Sequence, residues 1–305
     1  MPRKQPTEKS LIKTGKQLEL SIVRTGGHVL DSVQKAVRRY GPMAITVIED
    51  AFQGFGGVPR VSEVIDIADQ LQRALVDAGL DEAARDFRRG FAPVRQAANK
   101  YFEQFGYKPS LSSIDVESLN ALASFHEAQF LDLFDRRLVQ PLADQVINGV
   151  IGLRDTDTIV SSLRNFMDEQ GIITRAGVGF TDPQLETLVH DAYRRQGRQV
   201  KAEQANRLNM QVIWFQGPDD KITSEQCQFM LNYDAHGVPG MWLDEEFTAE
   251  NINDLMNDDL LKENPKLVGG HWNCRHSVNY IPLSYAIDKG FQIDLDENAE
   301  DYADV

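Results

Sequence analysis

The chain has 305 residues, of which 42% are hydrophobic and 26% charged, and its formal net charge is −14. This length is enough for one large or two ordinary globular domains. There is no run of 18 apolar residues and no apolar core of a secretory signal at the N-terminus, which argues against a transmembrane helix and against export by that route. Two cysteines are typical of a protein made in a reducing cytosol and argue against a disulfide-rich secreted scaffold.

The first predicted segment, residues 1–25, is polar, basic and only weakly periodic. From Arg3 to Arg39 nine basic residues stand against three acids. We interpret residues 1–25 as a flexible arm that becomes ordered on a partner. We expect it to contact another chain or packaged DNA through its basic side chains, which are Arg3, Lys4, Lys9, Lys13 and Lys16. A solvated terminus without a partner is the alternative interpretation.

A helical domain is predicted over residues 26–209. Apolar residues recur there at helical spacing, and the pairs Gly26-Gly27 and Gly41-Pro42 predict breaks on either side of a short first helix. Gly79 stands where a C-cap glycine belongs, and Asp182-Pro183 is a start signal for a long polar helix. The later helices are predicted over about 62–78, 81–106 with a bend at Pro93, 116–137, 141–153, 157–169 and 183–208.

The pattern changes at Met210. Short alternating runs at 211–215 and 278–281 predict two strands, and turn residues become dense. The predicted fold class is therefore a mainly α N-terminal region followed by a small α+β module over 210–287, with an acidic tail over 288–305. Between Asp219 and Glu263 twelve acids face two lysines. This charge would repel duplex DNA, so we expect no DNA contact from the module.

Two short motifs in the module hold both cysteines. The first runs from Asp220 through Thr223-Ser224 to Cys227, and the second is His271-Trp272-Asn273-Cys274-Arg275-His276. Thr223 with Gln226 fits a capping box, which would start a short helix with Cys227 near its first turn. Because Cys and His cross-link or bind metal, we expect the two motifs to lie together. The Cα atoms of Cys227 and Cys274 would be ~4.4–6.8 Å apart if bridged.

Three states of the cysteines stay open at this point. They are reduced thiols packed together, a disulfide formed in an oxidising medium, or part of a structural zinc site. The zinc ligands would be Cys227, His271, Cys274 and His276. A typical zinc site has two close pairs of ligands, whereas here three of the four crowd into six residues.

A catalytic interpretation of these residues has less support. A cysteine nucleophile paired with a histidine also needs a group that orients the base and a loop that stabilises the oxyanion, and the sequence supplies neither. We instead predict that His271 and Asn273 hold the Gly269-Gly270 loop through hydrogen bonds. For Arg275 we predict a structural ion pair or a clamp on carbonyl groups.

The order of these features resembles the tailed-phage head morphogenesis family, which includes the phage Mu F protein and minor capsid proteins that accompany the portal. The resemblance covers about residues 150–287, with the helix over about 187–208 where the family has a long helix before the motif. The matching residues are Trp214, Asp220, Thr223, Ser224, Cys227, His271, Asn273, Cys274, Arg275 and Pro282. The chain departs from the family pattern at His190–Arg195, where the family often has Arg-Thr-Glu, and also at Trp272 and His276.

The resemblance implies a structural protein of the virion, without enzymatic activity and without a required cofactor. Its implied partners are the portal protein and the major capsid protein, with no membrane contact. Its implied location is the portal vertex of the head, and the host cytoplasm during assembly. The alternatives are a metal-dependent or cysteine-based hydrolase that acts during infection, and a toxin carrier, since Mu F-like modules can be joined to toxin domains. The flanking regions carry no catalytic signature, so the toxin carrier ranks last.

Overall fold

The computed structural model describes residues 6–54, 60–108, 110–111, 113–152, 154–169, 183–217, 219, 223–268, 274 and 276–293. Most of these residues are helical, and a small three-stranded antiparallel sheet forms with short helices near the C-terminus. This confirms the predicted fold class, a mainly α N-terminal region followed by a small α+β module. Among the described helices, none is both long enough and apolar enough to cross a bilayer.

The long helices precede the sheet. They are α1 (Glu8–Gly54), α2 (Val61–Leu75), α3 (Asp81–Glu103), α4 (Ser113–Phe134), α5 (Gln140–Ile151), α6 (Thr156–Glu169) and α7 (Pro183–Arg207). Two π-helical turns, Val76–Leu80 and Asp135–Val139, join α2 to α3 and α4 to α5. Gly79 has a φ angle of 112° in the first of these turns. Since glycine adopts this conformation readily, the predicted helix end at Gly79 takes the form of a kink.

The sheet and the short helices follow in the order β1 (Val212–Gln216), α8 (Glu225–Asn232), β2 (Met241–Leu243), α9 (Ala249–Met256), α10 (Pro265–Val268), β3 (Ser277–Ile281) and α11 (Leu283–Asp288). β1 is the central strand and pairs antiparallel with both neighbours. In this register Ile213 stands opposite Trp242 on one side and Tyr280 on the other. β1 and β3 correspond to the two predicted strands, whereas β2 is only three residues long and has no alternating pattern.

The chain divides into two compact units. The first consists of Met1–Ile22, Ala92–Asn120 and Tyr193–Val305, and the second of Val23–Phe91 and Ala121–Ala192. The sequence predicted boundaries at residues 25/26 and 209/210 instead. The difference arises because α1, α3, α4 and α7 each contribute residues to both units, so that neither unit is a continuous segment.

Each unit has its own core. In the second unit the ring of Phe87 stacks on Phe130 with 4.8 Å between centroids, and Phe134 meets Phe130 edge to face. In the first unit the core surrounds the sheet and contains large aromatic side chains such as Phe215 and Trp242. The candidate functional site lies within the core of the first unit, so the packing of that unit sets the geometry of the site.

The prediction of a flexible arm is wrong for residues 8–25. These residues form the N-terminal half of α1, and Leu11, Leu18 and Ile22 are buried. Leu11 belongs to the same core as the sheet. Three apolar residues at spacings of seven and four place one face of the helix against the protein, and burial of that face offsets the polar character of the rest. Lys9, Lys13 and Lys16 lie on the exposed surface of α1, and Arg3 and Lys4 lie outside the described residues.

The predicted breaks inside α1 are wrong as well. The helix continues through Gly26-Gly27 and through Pro42. Its buried stripe is unbroken across both positions and includes Val29, Val33, Val37, Tyr40, Ala44 and Ile48. A proline inside a helix costs about 3 kcal/mol. Burying several aliphatic and aromatic side chains contributes more than this, since each gives about 1.5–3 kcal/mol.

Replacing each of two adjacent glycines of α1 with alanine is predicted to change the stability of the protein in opposite directions. A Cβ at Gly26 would lie 2.4 Å from the His190 ring, whereas a Cβ at Gly27 would meet no atom within 4 Å. We expect Gly27→Ala to stabilise the protein by up to about 1 kcal/mol, because alanine favours the helix. We expect Gly26→Ala to destabilise it by about 1–3 kcal/mol through overpacking. Urea denaturation of both variants measures the change in the free energy of unfolding. Equal changes for Gly26→Ala and Gly27→Ala would contradict the close contact at Gly26.

Candidate functional site: a buried cysteine and histidine cluster

The two motifs meet beside the sheet. α8 follows β1 and carries Cys227 in its first turn, while Cys274 and His276 directly precede β3. The Ser224 side chain caps α8 by accepting a hydrogen bond from the Cys227 backbone N–H at 3.3 Å. The predicted capping box at Thr223 was therefore one residue too early. Thr223 is buried instead. The cap positions Cys227 by holding the backbone of its own residue.

The side chains of Cys227, Cys274 and His276 form a compact cluster. The two Sγ atoms are 3.5 Å apart, and the Cys274 Sγ lies 3.3 Å from the His276 Nδ1. Both cysteines are fully buried, and His276 is 4% exposed. The prediction that the two cysteines lie close together is confirmed, and no disulfide joins them.

The surroundings of Cys274 favour its thiolate form. The hydrogen bond with Cys227 contributes most to holding the pKa of Cys274 below its ordinary value. Burial acts in the opposite direction, while the hydrogen bond with His276 and the charge of Arg198 lower the pKa of Cys274 further. A thiolate is both a nucleophile and a metal ligand. Because this sulfur has no exposed surface, it suits a structural or metal-binding role better than attack on a substrate.

The His276 ring occupies a fitted position. It stacks on Phe215 of β1 with 5.1 Å between ring centroids and 24° between planes. On another side it approaches the backbone so closely that a Cβ at Gly217 would lie 2.3 Å from the His276 Cδ2. Gly217 is therefore required for this ring position. The ring is held by β1 and by the residue that follows β1, while its Nδ1 faces the Cys274 sulfur.

Side-chain donors cover the outer edge of β3. Arg198 donates to the carbonyl oxygens of Cys274 and His276, both at 2.9 Å. Further along, the carbonyl of Val278 accepts from Lys201 at 3.2 Å, and that of Tyr280 accepts from the Tyr101 hydroxyl at 2.8 Å. Every second carbonyl from 274 to 280 thus has a side-chain donor. Edge strands otherwise expose such carbonyls to water or to another strand. We call Arg198, Lys201 and Tyr101 the edge donors.

The edge donors are buried, and burial changes the titration of Lys201 and of Tyr101. Burial, with the charge of Arg198, lowers the pKa of Lys201 to about 7. The Lys201 ammonium also donates to the Asn279 Oδ1 at 2.8 Å and lies 4.7 Å from the centre of the Tyr101 ring. Burial raises the pKa of Tyr101 well above its ordinary value, so the Tyr101 hydroxyl remains a donor. These contacts fix β3, and with it the position of Cys274 and His276.

The structure describes only part of the predicted site. Cys227, Cys274 and His276 come together, Trp214 is partly buried on β1, and Pro282 occupies the N-cap position of α11. The remaining motif residues, Asp220, His271, Asn273 and Arg275, lie outside the described residues. Of the four predicted zinc ligands, the structure therefore places three in one cluster, and the predicted roles of His271, Asn273 and Arg275 stay predictions.

Sequence reasoning missed the edge donors of α7. A signal was present, because Arg194, Arg198 and Lys201 recur at spacings of four and three and so share one helix face. All three are buried in the structure. A basic face on a polar helix is usually solvated, and the carbonyl partners of Arg198 and Lys201 come from β3 and the residues before it, which lie far away in sequence.

Comparison with protein-family models, with characterised proteins and with solved structures gives no match for this chain.

Proposed function

We propose that this chain is a structural minor head protein of a tailed phage. In this role it binds the portal and the capsid, and it aids head assembly and the packaging or delivery of DNA. The observation that carries the proposal is the convergence of the two motifs. Cys227 and Cys274 are 47 residues apart in sequence, yet their sulfurs are 3.5 Å apart in a buried core. The same pair of motifs carries the resemblance to the phage Mu F family.

The connection of the elements also supports this proposal. α7 leads into β1, as the long helix of the family leads into the motif. The burial of both cysteines and of His276 suits residues that stabilise a small module. A hydrolase of wall or DNA would need a nucleophile or metal that its substrate can reach, so the buried cluster favours the structural role.

Three exposed lysines are the proposed contact of α1 with DNA or with a virion partner. Lys9, Lys13 and Lys16 follow one another at spacings of four and three, so they share one face of the helix. The contact predicted for a flexible arm is now proposed for the surface of a folded helix. Because their side chains are exposed, their charge can be reversed without disturbing the core.

Association with the portal tests the proposed function. The full chain would be co-expressed with the portal and major capsid proteins encoded by the same genome. We expect it to co-migrate with portal oligomers in a sucrose gradient and to show no hydrolytic turnover alone. Migration apart from portal and capsid proteins, or hydrolysis of cell wall or DNA by the purified chain, would count against the structural role and favour the hydrolase.

Charge reversal identifies the contribution of the lysines. The variant Lys9→Glu/Lys13→Glu/Lys16→Glu should weaken binding to duplex DNA or to the portal oligomer, most strongly at low salt. The matched control Lys35→Glu/Lys100→Glu/Lys262→Glu makes the same change of net charge at other exposed lysines. If both variants lose binding equally, net charge rather than the α1 surface determines the association.

A further inference from the structure

Three potential metal ligands converge in the first unit. Among the described residues, the Sγ atoms of Cys227 and Cys274 and a ring nitrogen of His276 all lie within 4.8 Å of one another. Thiolate sulfur and imidazole nitrogen are the ligands that zinc prefers in structural sites. All three residues are buried, so a bound ion would be shielded from water and from competing ligands.

Two of the three distances between the donors are close to those of a tetrahedral ion. Zinc binds thiolate sulfur at about 2.3 Å and imidazole nitrogen at about 2.0–2.1 Å, which places ligands of one ion roughly 3.5–3.8 Å apart. The two sulfurs are 3.5 Å apart, and the Cys274 sulfur is 3.3 Å from the His276 Nδ1. These two pairs need shifts of only a few tenths of an ångström to bind one ion. The Cys227 sulfur and the His276 nitrogen, which lie within 4.8 Å of each other, need to close by up to about 1 Å through side-chain rotation.

We propose that Cys227, Cys274 and His276 bind one zinc-type divalent ion, which joins α8 to the segment before β3. The two sulfurs coordinate as thiolates and His276 coordinates through Nδ1. Coordination therefore requires both cysteines as thiolates and the imidazole in its neutral form, so a proton still held by the Cys227 thiol is released on binding. A tetrahedral ion has a fourth position, which these three side chains do not supply.

The backbone around the three ligands is already held in place. Arg198 fixes the carbonyls of Cys274 and His276, and Ser224 fixes the backbone N–H of Cys227. The His276 ring stacks on Phe215 and lies close to the backbone of Gly217. Ligands fixed in this way lose little conformational entropy on binding, which favours affinity.

The histidine distinguishes metal binding from the other two states of the cysteines. A disulfide would draw the sulfurs to about 2.05 Å and would use neither the imidazole nor its orientation. Packed thiols need no imidazole either. The Nδ1 atom of His276 nevertheless points at the Cys274 sulfur within the same cluster. Metal coordination uses all three donors.

Metal loading of the full chain tests the proposal. The reduced, metal-free protein would be titrated with Zn²⁺, with bound metal measured by mass spectrometry and proton release measured in weak buffer. In a parallel titration, Co²⁺ should produce the charge-transfer absorption of thiolate ligands. We expect about one ion per chain, proton release on binding, and the thiolate band. Absence of a stoichiometric ion in the reduced protein would overturn the proposal, as would a band without thiolate character.

Variants of the cluster test which side chains bind the ion. Cys227→Ser and His276→Gln should each lower Zn²⁺ affinity more than about 100-fold, beyond the 10–100-fold that loss of a supporting group costs. His28→Gln is the matched control, because His28 is an exposed histidine of the second unit. Circular dichroism establishes that each variant is folded. If a ligand variant does not fold, the wild-type protein provides the test. Alkylation of its two thiols would be compared with and without Zn²⁺, and bound Zn²⁺ should slow the reaction at least tenfold. Unchanged affinity in folded His276→Gln, or unchanged alkylation, would overturn the site.

Discussion

Replacing Arg198 with methionine is expected to lower the free energy of unfolding by about 3–5 kcal/mol. Arg198 is 5% exposed, and its guanidinium donates to three backbone carbonyls, those of Leu267, Cys274 and His276. Methionine has a similar length but no donor, so buried carbonyls would lose their partners. A hydrogen bond to a charged group contributes about 1.5–3 kcal/mol, and an acceptor left unsatisfied in a core costs about 1–3 kcal/mol.

A neighbouring arginine provides the control for this prediction. Arg195 lies on the same helix and pairs with Glu263 at 2.7 Å; the Arg195 side chain is 16% exposed and the Glu263 side chain is 52% exposed. An ion pair with one largely exposed partner contributes about 1 kcal/mol or less, so Arg195→Met should cost less than Arg198→Met. Arg198→Lys should fall between the two, since lysine keeps the charge but lacks the planar array of donors. Urea denaturation gives all three values.

Similar losses of unfolding free energy for Arg198→Met and Arg195→Met would contradict the proposed role of Arg198 as a donor to buried carbonyls. They would mean that the carbonyls of Cys274 and His276 find other partners, so that Arg198 does not hold the segment before β3. The proposed metal site provides a separate readout. Because Arg198 supports the backbone of two ligands, its loss should lower metal affinity by about 10–100-fold.

Much of the helical part of the fold could be predicted because its signals are local. Asp182-Pro183 correctly marks the start of α7, and the predicted helix over 157–169 differs from α6 by one residue. Capping residues and apolar spacing act within a few residues, so one sequence is enough to recognise them. The predicted strands at 211–215 and 278–281 succeeded for the same reason.

The predictions for α1 failed where distant packing outweighs local propensity. Gly26-Gly27 and Pro42 are helix-breaking signals when read alone. In the structure Val29, Val33 and Val37 are buried, and a buried stripe of this kind stabilises a helix across such residues. Likewise Leu11 and Leu18 are too few to signal a buried face until the rest of the core is known.

Only the cysteines of the candidate site could be placed together from the sequence, because cysteine is rare in this chain. The chain has only two cysteines, and the placement of one in each motif indicated that the motifs meet. The edge donors are common residue types with no local signature. Arg198 reaches Cys274 over 76 residues, and Tyr101 reaches Tyr280 over 179 residues. Such contacts depend on the folded arrangement of α3, α7 and β3.

The stability of the protein is expected to rise with pH above 7 because of Lys201. Burial lowers the pKa of Lys201 from 10.5 to about 7 in the folded protein, while the unfolded chain keeps the ordinary value. Between these two pH values the unfolded state binds one more proton than the folded state. The free energy of unfolding therefore rises with pH in this window, by at most about 1.4 kcal/mol per pH unit. Below pH 7 both states hold the proton, and this contribution is absent.

The difference between wild type and Lys201→Met isolates this effect. Other titrating groups are present in both proteins and cancel in the difference, whereas methionine cannot bind a proton. We expect the wild type to gain about 2–3 kcal/mol relative to Lys201→Met between pH 7 and 9.5, measured by urea denaturation at several pH values. The control Lys13→Met removes an exposed lysine and should follow the wild type. A constant difference between wild type and Lys201→Met would mean that Lys201 stays charged in the core. Its bonds to Val278 and Asn279 would then stabilise the ammonium well enough to offset its burial.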